Sequence, residues 1–499
     1  MRKILGFKVL IKVLTDSNTY QKYFVFNRDK ALTTLLIYVS VIPQALHINR
    51  IVSKNILSGD WYLARQLLRV SRDRIVEFDL ISFVSFVDPA NSKPIFGNLG
   101  YSNGLQILTP DMFLFKFLPE NFIFLFHFLF VTSISILYIL KLAETFRLGN
   151  LQTVLFAITW LNSGPLVARV SEGHIQLLGY YLVPAFFYHL YLIKTSNSIY
   201  NYVSLGFFLG FIELLGSTHV YFQMCLILLL VTVFNPKKIF KFLITLLISI
   251  FSSAIQILPI IFYPIYNESS RSVYEGYGYH FFEKYFDLSI QSNSFEFLRE
   301  IIGIPLHLFI ALLDSDTAIQ SGGWEWTLYI GLVPGILILF SIWKFTNDIK
   351  KLVYENLYLI PVFLLSLSLV YRFLYLFLSE IANFVAVDRV PYRMMIYIFC
   401  LLWFYTCFKL PILLSRFYGN RNVIVLFLIL IYCNLIISVN HWFTRHRLES
   451  QVDIDYLLEI QINPNYNSFV FSCLVLTLLS WIVFILFIFK LKPKTRIII

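Results

Sequence analysis

Acids, arginines and histidines are sparse in this chain, and their placement suggests a chemistry. Asp60, in "ILSGDWYLARQ" (56–66), and Asp88, in "FVDPA", are carboxylates that could take a proton from an attacking hydroxyl. Arg271, Arg389 and Arg393 carry the planar fork that suits a phosphate better than a lysine does. Glu172, His174, His219 and Glu325 offer the donors and acceptors that sugar hydroxyls need. The same carboxylate and imidazole groups admit a divalent cation, magnesium or manganese, although no ligand spacing fixes one. Together these types describe group transfer from a phosphorylated donor to a hydroxyl, with Asp60 as first candidate base and Asp88 as second.

Each residue also has a plain structural role. Asp60 can cap the helix that follows, in which Arg65, Arg69 and Arg72 form one stripe facing headgroups or water. Asp88 before Pro89 can start a turn. Glu172 and His174, with Arg169 close by, can form a polar corner between two apolar runs. His219 fits an interface, and Arg389 and Arg393 can anchor at headgroups. Arg372 and Glu213 stand near the outer ends of apolar runs, where they could snorkel or pair with another charge, and neither is given a role.

The elements that must position these groups are membrane helices. Of 499 residues, 58% are hydrophobic and 14% charged, which leaves too little polar surface for a soluble domain of this size. About twelve apolar runs are long enough to cross roughly 30 Å of hydrocarbon as helices. They lie near 31–48, 121–140, 151–168, 174–193, 199–216, 219–235, 239–264, 327–343, 356–378, 392–408, 422–439 and 467–489. The alternation of a β-barrel is absent, so the expected class is all-α and polytopic. Residues 1–30 read as a cytoplasmic interfacial segment, 31–489 as one helical domain and 490–499 as a basic tail. "MRKILGFKVLIKVL" makes a poor signal peptide because Lys8 and Lys12 interrupt its apolar core.

With both termini inside, the cytoplasmic segments hold more than half of the 40 Lys and Arg and only a handful of the 29 Asp and Glu. The net charge of +11 therefore reads as orientation and contact with lipid headgroups, not as nucleic-acid binding. The long loops 49–120, 265–326 and 441–466 fall outside, and the candidate acids, arginines and histidines fall in them or at outer span ends. "FLREIIGIPLHLFIALL" in the second loop is expected to lie in the interface or dip into the membrane, and the Tyr-rich stretch 274–285 suits a lid. All five Cys sit in apolar runs, with no spacing for a metal. No P-loop, dinucleotide fingerprint, HExxH or GxSxG motif is present.

Several strings, in order, resemble signatures of YfhO-type bacterial membrane proteins. "SGDWYLARQ" (58–66) resembles their Gly-Asp element after the first span, and "EGHIQLLGYYLVP" (172–184) a Gly-His…Pro element. "LLGSTHVYFQM" (214–224) is similar to a Gly-Gly-His-Pro-Gln turn, with Gln223 displaced and the Pro missing. "AIQILPIIFYPIYNESSR" (254–271), "GGWEWTLYIGLVPGILIL" (322–339) and "DRVPYRMMIYI" (388–398) resemble three later signatures. That family is placed in the GT-C glycosyltransferase superfamily. The resemblance implies a polytopic enzyme of the bacterial inner membrane with its site on the outer face. It implies a polyprenyl-phosphate-linked sugar as donor, an extracytoplasmic glycan or lipid as acceptor, and a base at Asp60. The resemblance covers about residues 31–400, and the residues beyond it do not resemble the long extracytoplasmic C-terminal region that many such proteins carry. A carrier or flippase for lipid-linked or polar solutes, and a non-catalytic GT-C-like scaffold subunit of an envelope complex, are the alternative readings.

Overall fold

A computed structural model describes residues 28–53, 109–111, 114, 117–171, 173–196, 198–258, 332–366 and 394–413, with short pieces inside 429–436 and 472–485. Among them the chain is helical. The elements are α1 (Arg28–Ser53), α2 (Glu120–Thr145), α3 (Asn150–Leu161), α4 (Gly164–Ser171) and a 3-10 helix (Ile175–Leu182). There follow α5 (Val183–Thr195), α6 (Ile199–Leu214), α7 (Thr218–Val233), a 3-10 turn (Pro236–Lys238) and α8 (Ile239–Ser252). Beyond these stand α9 (Leu332–Lys344), α10 (Thr346–Glu355), α11 (Leu359–Leu365) and α12 (Met395–Leu413).

Four of these helical stretches are long and apolar enough to cross a membrane: Lys30–Arg50, Phe122–Thr145, Asn150–Ser171 and Met395–Leu413. A fifth counts if α7 and α8, which meet at a 120° bend, form one broken span. Three expected spans differ in detail. The run 151–168 breaks at Asn162–Ser163 and resumes as α4. The run 174–193 opens as a 3-10 helix and becomes α-helical only at Val183, where Pro184 occupies the first turn, a place that needs no N–H donor. The run 239–264 ends its first helix at Ser252. Apolarity marks what is buried but not which helical hydrogen-bond pattern carries it.

Burial decides the layering. The apolar window of α3–α4 is 94% buried against 33% for α1, so α3–α4 is the central element. Gln152 secures its start: Oε1 accepts from Gly149 N–H at 2.6 Å, and Nε2 donates to Cys407 O of α12 at 2.9 Å. The tightest pairing joins α6 to α8. Gly206 and Gly210, one helical turn apart, face Thr245 O and Ile248, and Ser249 O and Ser252, respectively, and the two glycines let the helices approach closely. Thr245 Oγ1 donates to Tyr202 O at 3.1 Å across that seam.

Short connections make successive helices antiparallel, so the bundle has two distinct ends. At one end Lys30 pairs with Glu144 at 3.6 Å, Lys409 with Asp348 at 2.7 Å, and Lys194 donates to Glu355 O at 3.0 Å. The other end, where α2 begins and α4 and α6 finish, holds a buried polar layer.

Candidate functional site

The layer is organised by the 3-10 helix. Three residues per turn point successive residues about 120° apart, and three neighbours here reach the N-cap of α7, α7 itself and α1. Gly179 N–H donates to Ser217 Oγ, before α7, at 3.0 Å. Tyr180 OH donates to Gln223 Oε1 of α7 at 3.0 Å. Tyr181 OH donates to Gln44 Oε1 of α1 at 2.8 Å. The Tyr181 carbonyl accepts from Ser135 Oγ at 2.5 Å and from Trp160 Nε1 at 3.4 Å, which adds α2 and α3. Gln44 Nε2 in turn donates to Leu161 O at 2.8 Å and Asn162 Oδ1 at 2.9 Å, at the break between α3 and α4. That break is therefore a polar junction inside the bundle.

A Cβ on Gly179 would stand 2.7 Å from Ser217 Cβ, so only glycine lets the 3-10 helix lie against the α6–α7 turn. That turn needs a left-handed residue, supplied by Gly216 at φ 72°. It brings Thr218 Oγ1 to donate to Glu213 Oε1 at 3.0 Å. Glu213 is fully buried, and its Oε2 has no hydrogen-bond partner. It does not snorkel, because the turn folds it inward, and among the described residues no ion pair engages it.

Arg169, 2% exposed, ends α4. Its guanidinium donates to Pro165 O and lies 5.3 Å from the centre of the Tyr180 ring, a cation–π contact that helps hold a buried charge. The Tyr180 ring also meets Tyr397 of α12 edge-on at 6.3 Å.

At the start of α2, Asp111 Oδ2 lies 2.7 Å from His127 Nδ1, with both side chains at most 1% exposed. A carboxylate here accepts from Nδ1–H and fixes the imidazole tautomer. Asp111 Oδ1 and Thr109 Oγ1 are buried without hydrogen-bond partners.

Of the candidate site residues, His174 and His219 fall among those described. His174 is buried and directly precedes the 3-10 helix; its N–H donates to Arg169 O at 3.0 Å. His219 is partly buried in the first turn of α7. The Gly179–Ser217 bond joins the elements that carry them. Asp60, Asp88, Glu172, Arg271, Glu325, Arg389 and Arg393 lie outside the described residues, as do loops 265–326 and 441–466 and segments 1–27 and 490–499. Among the described residues no three His, Cys, Asp or Glu side chains are grouped to hold a metal ion. Cys225, Cys400, Cys407 and Cys433 are free thiols.

Sequence reasoning passed over Asp111, His127, Gln44 and Tyr181. The available signal was a lone His in "NFIFLFHFLFV" and a Gln in "SVIPQALHI": polar side chains inside apolar runs, which need partners. No family model, no curated protein and no solved structure matches the chain.

Proposed function

We propose that the chain is a polytopic GT-C-type glycosyltransferase, with about twelve spans, that moves a sugar from a polyprenyl-phosphate-linked donor to an acceptor hydroxyl on the outer face. The observation that carries the reading is the segregation of polar groups. Asp111–His127, Arg169, His174, Glu213 and His219 gather where α2 begins and α4 and α6 end, whereas lysines dominate the opposite end. An enzyme acting on lipid-linked substrates at one membrane face needs that asymmetry. The ordered resemblance to YfhO-type proteins supports the same reading.

In this reading the acceptor oxygen attacks the anomeric carbon as the bond from that carbon to the phosphate oxygen breaks. The acceptor proton passes to the Asp60 carboxylate, with Asp88 as second candidate, and polyprenyl phosphate leaves. Arg271, Arg389 and Arg393 neutralise the charge that grows on the phosphate. His174, His219, Glu172 and Glu325 hold sugar hydroxyls or a magnesium or manganese ion. A single displacement inverts the anomeric centre.

The test is transfer from a polyprenyl-phospho-sugar by purified protein in lipid. Asp60→Asn, expressed as well as wild type, should lose turnover; wild-type-like turnover would remove Asp60 from the base role. A carrier is the second reading. It is favoured by one observation: His189 Nε2 lies 3.2 Å from Tyr138 OH, with Lys141 Nζ 4.8 Å from the Tyr138 ring, a polar set on α2 and α5 beyond the layer around Tyr181. Substrate movement across sealed vesicles without bond cleavage would select it.

A further inference from the structure

The opposite end of the bundle carries a second feature, separate from the proposed reaction. Lys194 ends α5, Lys237 and Lys238 form the 3-10 turn between α7 and α8, and Lys241 lies in the first turn of α8. The fold packs them together: Lys238 Nζ donates to Ile193 O at 2.7 Å, the carbonyl of the residue next to Lys194. Lys194 Nζ donates to Glu355 O and Asn356 Oδ1, both at 3.0 Å, at the end of α10. Lys241 Nζ sits 5.5 Å from the centre of the Tyr202 ring.

The partners of Lys194 and Lys238 are carbonyls, groups that orient an ammonium without neutralising it. An ammonium has three N–H donors, so Lys194 keeps one and Lys238 keeps two, while Lys237 is exposed. Glu355 is the acid nearest in the chain to these contacts, and its carboxylate forms no ion pair with Lys194. Burial, and then the charges of Lys241 and Lys194, hold the Lys238 ammonium below the usual lysine range. Among the described residues no ion pair engages Lys194, Lys237 or Lys238, so these three bring positive charge to the cluster. Beside it, Phe234, Ile239 and Phe240 are 50%, 57% and 71% exposed. Apolar side chains turned outward next to fixed ammonium groups match the boundary between acyl chains and headgroups.

We propose that Lys194, Lys237, Lys238 and Lys241 form a binding site for the headgroup phosphate of an anionic phospholipid, with its acyl chains against Phe234, Ile239 and Phe240. The site needs no assumption about catalysis.

The experiment is native mass spectrometry of the purified full-length chain titrated with phosphatidylglycerol or phosphatidylcholine. Wild type should bind the first phosphatidylglycerol tighter by roughly tenfold or more, since each nearby lysine contributes to anionic-lipid attraction. Lys194→Gln/Lys237→Gln/Lys241→Gln should erase that preference, and the equal-sign control Lys350→Gln/Lys351→Gln on α10 should keep it. Three results overturn the proposal: no preference in wild type, an equal loss in the control, or displacement of phosphatidylglycerol by millimolar inorganic phosphate, which would mark a free-anion site. Should the triple Gln variant not fold, Lys194→Arg/Lys237→Arg/Lys241→Arg decides: retained preference supports the site, lost preference overturns it.

Discussion

Asp111 Oδ2 and His127 Nδ1 stand 2.7 Å apart with neither side chain more than 1% exposed, so a buried polar contact ties the segment before α2 to the helix. Breaking a buried pair by removing one partner strands the other. Asp111→Ala should therefore lower stability by about 3–5 kcal/mol. Replacing both, as Asp111→Leu/His127→Leu, should recover most of that loss. Thermal unfolding in detergent of the two single variants and the double variant measures the coupling directly; additive losses would show that the pair is not coupled.

The two tyrosine hydroxyl contacts of the 3-10 helix should be separable. Tyr181→Phe deletes the bond to Gln44, and Tyr180→Phe deletes the bond to Gln223. Interhelical hydrogen bonds of this kind are worth about 0.6 kcal/mol and at most about 1.7 kcal/mol. Each variant should fall in that range, and Tyr181→Phe/Gln44→Leu should cost less than the sum of its parts. A loss well above the range for Tyr180→Phe would mean that its ring, stacked on Arg169, depends on the hydroxyl for position.

The α6–α8 seam should reject even one methyl group. A Cβ at Gly210 would overlap Ser252 Oγ and lie 3.0 Å from Ser252 Cβ and 3.2 Å from Ser249 O. Gly210→Ala is expected to cost about 1–3 kcal/mol through overpacking. Ser252→Gly should restore part of it by removing the Oγ and the Cβ, leaving the Ser249 carbonyl as the residual obstacle. The readout is the melting temperature of the single and paired variants.

The Asp348–Lys409 contact joining α10 to α12 should respond to acid. Lys409, first through its 2.7 Å hydrogen bond and then through its charge, holds the Asp348 carboxyl below the usual carboxylate range. A depressed carboxyl contributes stability that is present above its unfolded value, about 3.9. That contribution is lost as the pH falls through the lower folded value. Protection factors of α10 amides, taken relative to the intrinsic exchange rate at each pH, should be flat from neutral pH down to about 4 and fall below it, and Lys409→Gln should remove the step. The contact is solvent-exposed, so the effect should stay local to α10.

Much of the architecture is legible in composition. Apolar runs place α1, α2, α6, α7 and α12 within a few residues, because a membrane helix needs length and apolarity. The 3-10 helix is not legible: "IQLLGYYL" is as apolar as its neighbours, and its tighter winding follows from Gly179 packing on Ser217, some 38 positions away. Asp111–His127 escapes for a related reason, since Asp111 lies before α2 in a stretch that no periodicity organises. His174 and His219 were visible as polar residues at span ends, and their linkage through Gly179 and Ser217 was not. Glu213 was visible as a charge, but its inward fold depends on the left-handed Gly216 three residues later.

The one-residue spacing of contacts at Gly179, Tyr180 and Tyr181 limits how this chain can change length. Inserting or deleting a single residue within Ile175–Leu182 would rotate everything after it by about a third of a turn. Gln44 and Gln223 would each face the wrong neighbour, and the glycine would leave its place against Ser217. Substitutions here can be graded, but a change in length exchanges every partner at once. The segment works as a ruler for the bundle: it fixes the spacing of α1 and α7 by counting residues.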